Sequence, residues 1–374
     1  MKKKNEKNKR NIQLDGTKIL WHAPKAEKLL KGERIYPISM DMSLSKYCNY
    51  RCQYCYGQFQ KNDTRLLTKK ILFDFLDDAK LMGVKGISLI SDGESTCNKN
   101  WGLFILQAKQ LGIDIASGTN GSLLHNFDME KVIPALTFLR INISASKINR
   151  YCEIHGTSEQ NYRKVIENIE KAVKIKKDTK SEVTIGLQMV LMPEYNDQII
   201  SLAKLGRELG VNYLVIKHVS DSEDKDLGVD YSKYKELEGV LKEAEAYSTD
   251  EYLVKVKWSK ILSGGLRNYN TCLAPPILLQ ISGNGGVYPC GFLFNRQEFC
   301  AGNITEQRFK EILDSEKYWD IMKRLRDPKR FNVHKDCGSL CLQHCTNEIL
   351  WKALQGKIKL KTPNGSKPQH INFI

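Results

Sequence analysis

Along the first two thirds of the chain, short apolar runs alternate with segments whose apolar residues recur every three or four positions. The runs YPISMDMSL, GISLIS, GIDIAS, FLRINIS, VTIGLQMVLM and NYLVIKHV read as strands. Between the first two, TKKILFDFLDDAKLMG places Leu72, Phe75, Leu76 and Ala79 on one helical face, with Thr68 as N-cap and Gly83 as stop. SEQNYRKVIENIEKAVKI and NDQIISLAKLGRELG, the latter ending at Gly210, repeat that period. Six strand-then-helix units predict an α/β fold, a partial (β/α)6 barrel over residues 35–220, with reactive loops at the C-terminal ends of its strands.

The rhythm changes after residue 220. DSEDKDLGVD reads as a loop, YSKYKELEGVLKEAEAY as a helix and EYLVKVKWSKI as an amphipathic strand, a bridge over residues 221–265. A cysteine-rich segment, 266–350, follows it, and a lysine-rich tail, 351–374, ends in PQHINFI, where Ile371, Phe373 and Ile374 can anchor the chain end. A basic extension, 1–34, precedes the barrel.

The formal charge of +15 lies mostly at the ends: residues 1–10 carry +5 and residues 351–374 another +5, leaving +5 for the rest. These ends read as solvated tails rather than a nucleic-acid arm. No apolar run approaches the length of a membrane span and no secretory leader is legible, so a cytoplasmic protein is expected. In a reducing compartment the 11 cysteines are metal ligands or redox centres before they are disulfides.

KYCNYRCQYCYGQ sets Cys48, Cys52 and Cys55 in a loop directly after the first strand. Three thiolates can hold three irons of a four-iron cluster and leave the fourth open, whereas a closed cluster takes four. The same spacing also fits zinc held with a water or histidine, or the buried stripe of a helix.

With aromatic Tyr54 before the last cysteine, this triad resembles the CX3CXφC signature of the radical SAM superfamily. The resemblance implies a 4Fe–4S cluster on Cys48, Cys52 and Cys55, chelated by the amino and carboxylate groups of S-adenosylmethionine (SAM) and reduced to release a 5′-deoxyadenosyl radical. Asp92, Gly93 and Glu94 stand at the family's GGE motif, which holds the SAM amino group, with Asp in place of the first Gly. In RINISAS, Asn142 and Ser144 take positions that contact the SAM ribose and nearby polar groups. Thr119 and Asn120 read equally as caps of the following loop or helix and as cofactor contacts, His155 in YCEIHG reads as structural, and Cys97 and Cys152 as packing residues.

Cys272 and Cys290 flank a hairpin whose turn is SGNGG, and Cys337, Cys341 and Cys345 follow. The stretch resembles the opening of SPASM and twitch extensions, implying one auxiliary 4Fe–4S cluster on Cys272, Cys290, Cys337 and Cys341, with Cys345 as substitute and Cys300 structural. A zinc ribbon is the alternative for this region.

The resemblance implies an oxidoreductase-like enzyme that acts on a small polyhydroxylated molecule, an amino sugar or nucleotide-linked sugar, fed electrons by a flavodoxin or ferredoxin. Gln188 and Lys217, at later strand ends, are the substrate-facing candidates. Two alternatives stand beside it. One is a maturase acting on a precursor peptide, disfavoured because 34 residues before the first strand are too few for an appended recognition domain. The other is a non-enzymatic metal-binding scaffold whose basic tails contact RNA.

Overall fold

The computed structural model describes residues 13, 15–58, 60, 66–222, 224–263, 266–338 and 341–374. The lysine-rich residues 1–10 lie outside the described residues. All six strands read from the sequence are present: β1 (Ser39–Met42), β2 (Gly86–Leu89), β3 (Asp114–Thr119), β4 (Phe138–Asn142), β5 (Thr184–Leu191) and β6 (Tyr213–His218). Four more follow, β7 (Leu253–Val256), β8 (Leu278–Ile281), β9 (Gly286–Tyr288) and β10 (Gly302–Asn303). They form one sheet in the order β10-β9-β8-β1-β2-β3-β4-β5-β6-β7, parallel from β8 through β7 and antiparallel at β9 and β10.

Two of the added strands refine the sequence reading. The bridge strand becomes β7, pairing with β6 from Tyr213↔Leu253 to Ile216↔Val256. The first arm of the expected hairpin, β8, pairs in parallel with β1, from Ser39↔Leu278 to Met42↔Ile281. The cysteine-rich segment is thereby joined to the barrel along a main-chain ladder, a long-range pairing that residue patterns do not encode. Arg308 strengthens the join, donating to both carboxylate oxygens of buried Asp78 at 2.7 and 3.0 Å while Phe309 packs on Phe75, ring centroids 4.9 Å apart.

Local chemistry sets the helices. Thr68 caps Lys69–Leu81, its hydroxyl accepting from Ile71 N–H, and the helix ends before Gly83 at φ 75°. Ser158 caps Glu159–Thr179 in the same way. Side chains alternate across the strands. Ile87, Ile115, Leu139, Ile141, Ile185 and Leu214 are fully or almost fully buried in the core. The opposite face, with Asp41, Arg140, Asn142, Gln188 and Gln280, is polar and lines a cavity.

The tail closes the floor of that cavity. Phe373 and His370 pack on Phe138 at the start of β4, with ring centroids 5.0 and 4.9 Å away. His370 Nε2 hydrogen-bonds Thr184 Oγ1 at 2.6 Å at the start of β5, and Asn372 Nδ2 donates to Asp114 at 2.7 Å at the start of β3.

Candidate functional site

The cavity has a volume of about 480 Å³ and is bounded by strand side chains, the loop after β1 and the chain's end. Cys48, Cys52 and Cys55 stand on its wall. Burial pushes all three thiols up, Cys52 to about 12, and the neighbouring thiols add to the rise at Cys48 and Cys52. Such thiols keep their protons at neutral pH until a metal displaces them. Cys55 is the exposed member of the three, and cavity-lining Gly57 leaves room beside it: a Cβ there would lie 3.3 Å from Cys55 Sγ.

His155, read from the sequence as structural, lies against this loop. Ser144 N–H donates to its Nε2 at 3.0 Å, so the ring proton belongs on Nδ1. Nδ1 in turn faces Cys52 Sγ at 3.4 Å and Tyr54 Oη at 3.4 Å. Burial pushes His155 down to about 3, leaving a neutral ring that donates one N–H toward a ligand-type sulfur. The signal was in YCEIHG, but nothing in its spacing shows that a turn 100 residues later returns to Cys52.

The DGE residues do something other than line the cavity together. Asp92 accepts from Ser282 Oγ at 2.6 Å and Gly283 N at 2.8 Å, tying the β2 loop to the β8–β9 turn. Glu94 accepts from Thr96 N, Thr96 Oγ1, Thr119 Oγ1 and Asn120 N, all at 2.8 to 3.0 Å, which fastens it to the end of β3. Thr119 and Asn120 thus serve Glu94. Gly93 alone has the conformation the motif asks for: φ is 71°, and a Cβ would fall 2.2 Å from Ser45 O. Asp92 and Gly93 reach the cavity rim, while Glu94 is absent from the lining.

Asn142 lines the cavity and accepts from Gln188 Nε2 at 2.8 Å; Lys217 and Tyr54 line it too. Ser144, behind His155, is buried and absent from the lining, its hydroxyl exchanging hydrogen bonds with Val190 N and O at 3.1 and 3.2 Å.

Cys272, Cys290, Cys337 and Cys341 form a second group outside the cavity lining. Burial and one another's proximity push Cys272, Cys290 and Cys337 up, the last to about 11. Asn347 stands between two of them: its Nδ2 lies 3.3 Å from Cys272 Sγ and 3.8 Å from Cys341 Sγ, while its Oδ1 accepts from Leu273 N and Ala274 N. Cys345 instead lines the cavity beside Gly16. Cys300 approaches Gly302 O at 3.5 Å, and Cys97 approaches Asn49 Oδ1 at 3.9 Å. Tyr56, next to Cys55, lies between the groups, packed on Phe292 with centroids 5.2 Å apart and within the electrostatic reach of Cys55, Cys290 and Cys337.

Among the described residues, no three His, Cys, Asp or Glu side chains converge on a point as a single metal ion requires. An iron–sulfur cluster spreads its thiolates over a larger volume, and the two donor sets fit it. Three thiols facing a cavity suit a cluster with an accessible iron; four away from it suit a fully ligated one.

Comparison with known proteins agrees with this division. Residues 42–206 match the radical SAM superfamily and residues 272–346 match an iron–sulfur cluster-binding domain, SPASM. A probable GTP 3′,8-cyclase of Saccharolobus islandicus is 27% identical over 172 residues, 46% of this chain and 53% of the relative. One from Pyrococcus horikoshii is 29% identical over 164 residues, 43% of this chain and 49% of the relative. The chain therefore spans about half the length of these curated relatives. Among solved structures, Streptococcus suis SuiB bound to S-adenosylmethionine has the same fold, with a TM-score of 0.60, 16% identity, and coverage of 80% of this chain and 72% of that one. The protein anSMEcpe with bound AdoMet gives 0.55 and 17%, covering 86% and 97%. No helix among the described residues is long and apolar enough to cross a membrane.

Proposed function

Because residues 42–206 match the radical SAM superfamily and residues 272–346 a SPASM iron–sulfur domain, we propose that the protein is an enzyme that cleaves SAM reductively and uses the radical to oxidise or rearrange a small polyhydroxylated substrate. The observation that carries this reading is the placement of Cys48, Cys52 and Cys55 together on the wall of a cavity that also carries polar strand residues such as Asn142 and Gln188. A 4Fe–4S cluster held by Cys48, Cys52 and Cys55 would, with SAM, supply one-electron reductive cleavage and hydrogen-atom abstraction chemistry at this wall.

The chain's own residues supply position. Cys48, Cys52 and Cys55 would hold the first cluster, with His155 donating to Cys52; Cys272, Cys290, Cys337 and Cys341 would hold the second, with Asn347 between two of them. Gly93 offers main-chain groups at the rim, and Tyr54 packs against His155. Glu94 acts through Thr119 and Asn120, fixing the loop after β2. Asn142, Gln188 and Lys217 face the substrate or the ribose of SAM. The reading carries with it a reducing, cytoplasmic setting and an external one-electron donor of the flavodoxin or ferredoxin kind. A precursor peptide is the second reading, since SuiB, of the same fold, has been crystallised with its precursor peptide SuiA.

Anaerobic reconstitution with iron and sulfide, iron counting, and an assay for 5′-deoxyadenosine after addition of dithionite and SAM test the proposal. About eight irons per chain and SAM cleavage are expected. Zinc in place of iron, or a fully loaded protein that leaves SAM intact, would overturn it.

A further inference from the structure

We propose that the substrate is an anion, carrying a phosphate or carboxylate that the guanidinium of Arg140 binds in the lower part of the cavity. The inference rests on the reading of this cavity as the substrate chamber.

Arg140 lies at the middle of β4, on the face that lines the cavity, between Phe138 at the floor and Asn142 above. No hydrogen bond or ion pair to it is found among the described residues, and its Nε is sealed from solvent without a partner. The guanidinium is part-buried, and Asp41 and Tyr213 act on it electrostatically without hydrogen-bonding it. Burial holds its pKa below the usual arginine value without removing the charge. A residue kept in that condition points to a partner that arrives from outside.

The neighbouring acids do not fill the role. Asp41 faces the cavity from β1, but its carboxylate accepts from Gln280 Nε2 at 3.3 Å and from Ser88. Asp92 is occupied by Ser282 and Gly283. Lys217 and Lys257 also line the cavity, so its interior is cationic.

The sheet also sets small residues beside Arg140. In register with Arg140 on either side are Gly118 and Gly186. A Cβ at Gly118 would come within 3.7 Å of Arg140 Nη2 and 2.7 Å of Ile90, and one at Gly186 would strike the Tyr213 ring at 2.2 Å. Ile90 and the Tyr213 ring take up the room at these glycines and flank the guanidinium, a planar fork whose best-fitting partner is a bidentate phosphate or carboxylate. One layer above, the Asn142–Gln188 amide pair can bond hydroxyls of the same molecule.

The test uses anaerobically reconstituted full-length protein with SAM present. Thermal unfolding is followed with D-glucose 1-phosphate, D-glucuronate or neutral D-glucose, in wild type, Arg140→Lys and Arg140→Gln. One or both anionic sugars should raise the wild-type Tm by a few degrees while glucose does not, and which one acts separates phosphate from carboxylate. The shift should shrink in Arg140→Lys and vanish in Arg140→Gln. Equal shifts by anionic and neutral sugars, or no shift by either anion, would overturn the proposal, and the wild-type comparison decides this even if a variant fails to fold. A shift that survives in Arg140→Gln would assign the anion to other lysines and overturn it as well. So would loss, in that variant, of the stabilisation produced by SAM alone without any anion effect in wild type, which assigns the guanidinium to the cofactor. Wild-type 5′-deoxyadenosine formation is measured separately: cleavage without anion stabilisation defeats this inference only, and anion stabilisation without cleavage defeats the radical reading only.

Discussion

The two cysteine groups are assembled by opposite means. Cys48, Cys52 and Cys55 come from one loop and open onto the cavity, whereas Cys272, Cys290, Cys337 and Cys341 are gathered from a long stretch of chain and sit away from it. The first group needs only the direction of β1 and a short loop. The second needs β8 seated on β1 and Asn347 brought between Cys272 and Cys341. The difference separates an open donor set, which can admit a ligand, from a closed one, which can only pass or hold electrons.

The comparison can be broken most decisively at Cys52. Cys52→Ala should abolish 5′-deoxyadenosine formation and lower bound iron from about eight to about four per chain; retained cleavage would show that the loop is not the SAM site. Cys290→Ala should lose a similar share of iron, yet keep dithionite-driven SAM cleavage while losing substrate product. If that variant loses both activities, the two groups are not separable in the sense argued here.

Subtler substitutions sharpen the contrast. Asn347→Asp keeps the acceptor used by Leu273 and Ala274 but removes the N–H directed at sulfur and adds charge. Redox titration followed by electron paramagnetic resonance should show the second cluster's potential falling by about 100 mV, with the first unchanged. His155→Phe removes a single neutral donor from Cys52 and should lower the first cluster's potential by about 50 mV, leaving the second alone. A shift of both clusters, or of neither, would reduce these residues to packing.

The contrast also explains what was legible in the sequence. The six barrel strands, the Thr68 cap and the cysteine triad depend on near neighbours, and each follows from periodicity or spacing. The second group's membership needed a family resemblance, and its separation from Cys345 becomes apparent only when Cys345 turns toward Gly16 and the cavity. A motif gives Glu94 its position in the chain but not its partners: Thr119 and Asn120, at the end of the next strand, hydrogen-bond to it. His155 and Asn347 escaped for the same reason. Their role lies in what the ring and the amide face, which depends on tertiary approach. Arg140 sat unremarked in FLRINIS because an arginine within a strand becomes informative only once its place on the cavity wall is known.

The tail beneath the barrel imposes an order on folding. Its contacts to Asp114 and Thr184 span 258 and 186 residues, and the surface they dock on does not exist until β3, β4 and β5 stand side by side in register. Closing such long loops is slow and entropically unfavourable, so the floor should be among the last parts to form. A chain that slips register by one residue presents Phe138 on the wrong face and gives Phe373 no seat. Docking of the tail then acts as a check on the sheet above it: during refolding, protection of residues 367–374 from carboxypeptidase should appear only after the sheet's slowest amides are protected from exchange, and earlier protection would show that the tail docks on an incomplete sheet.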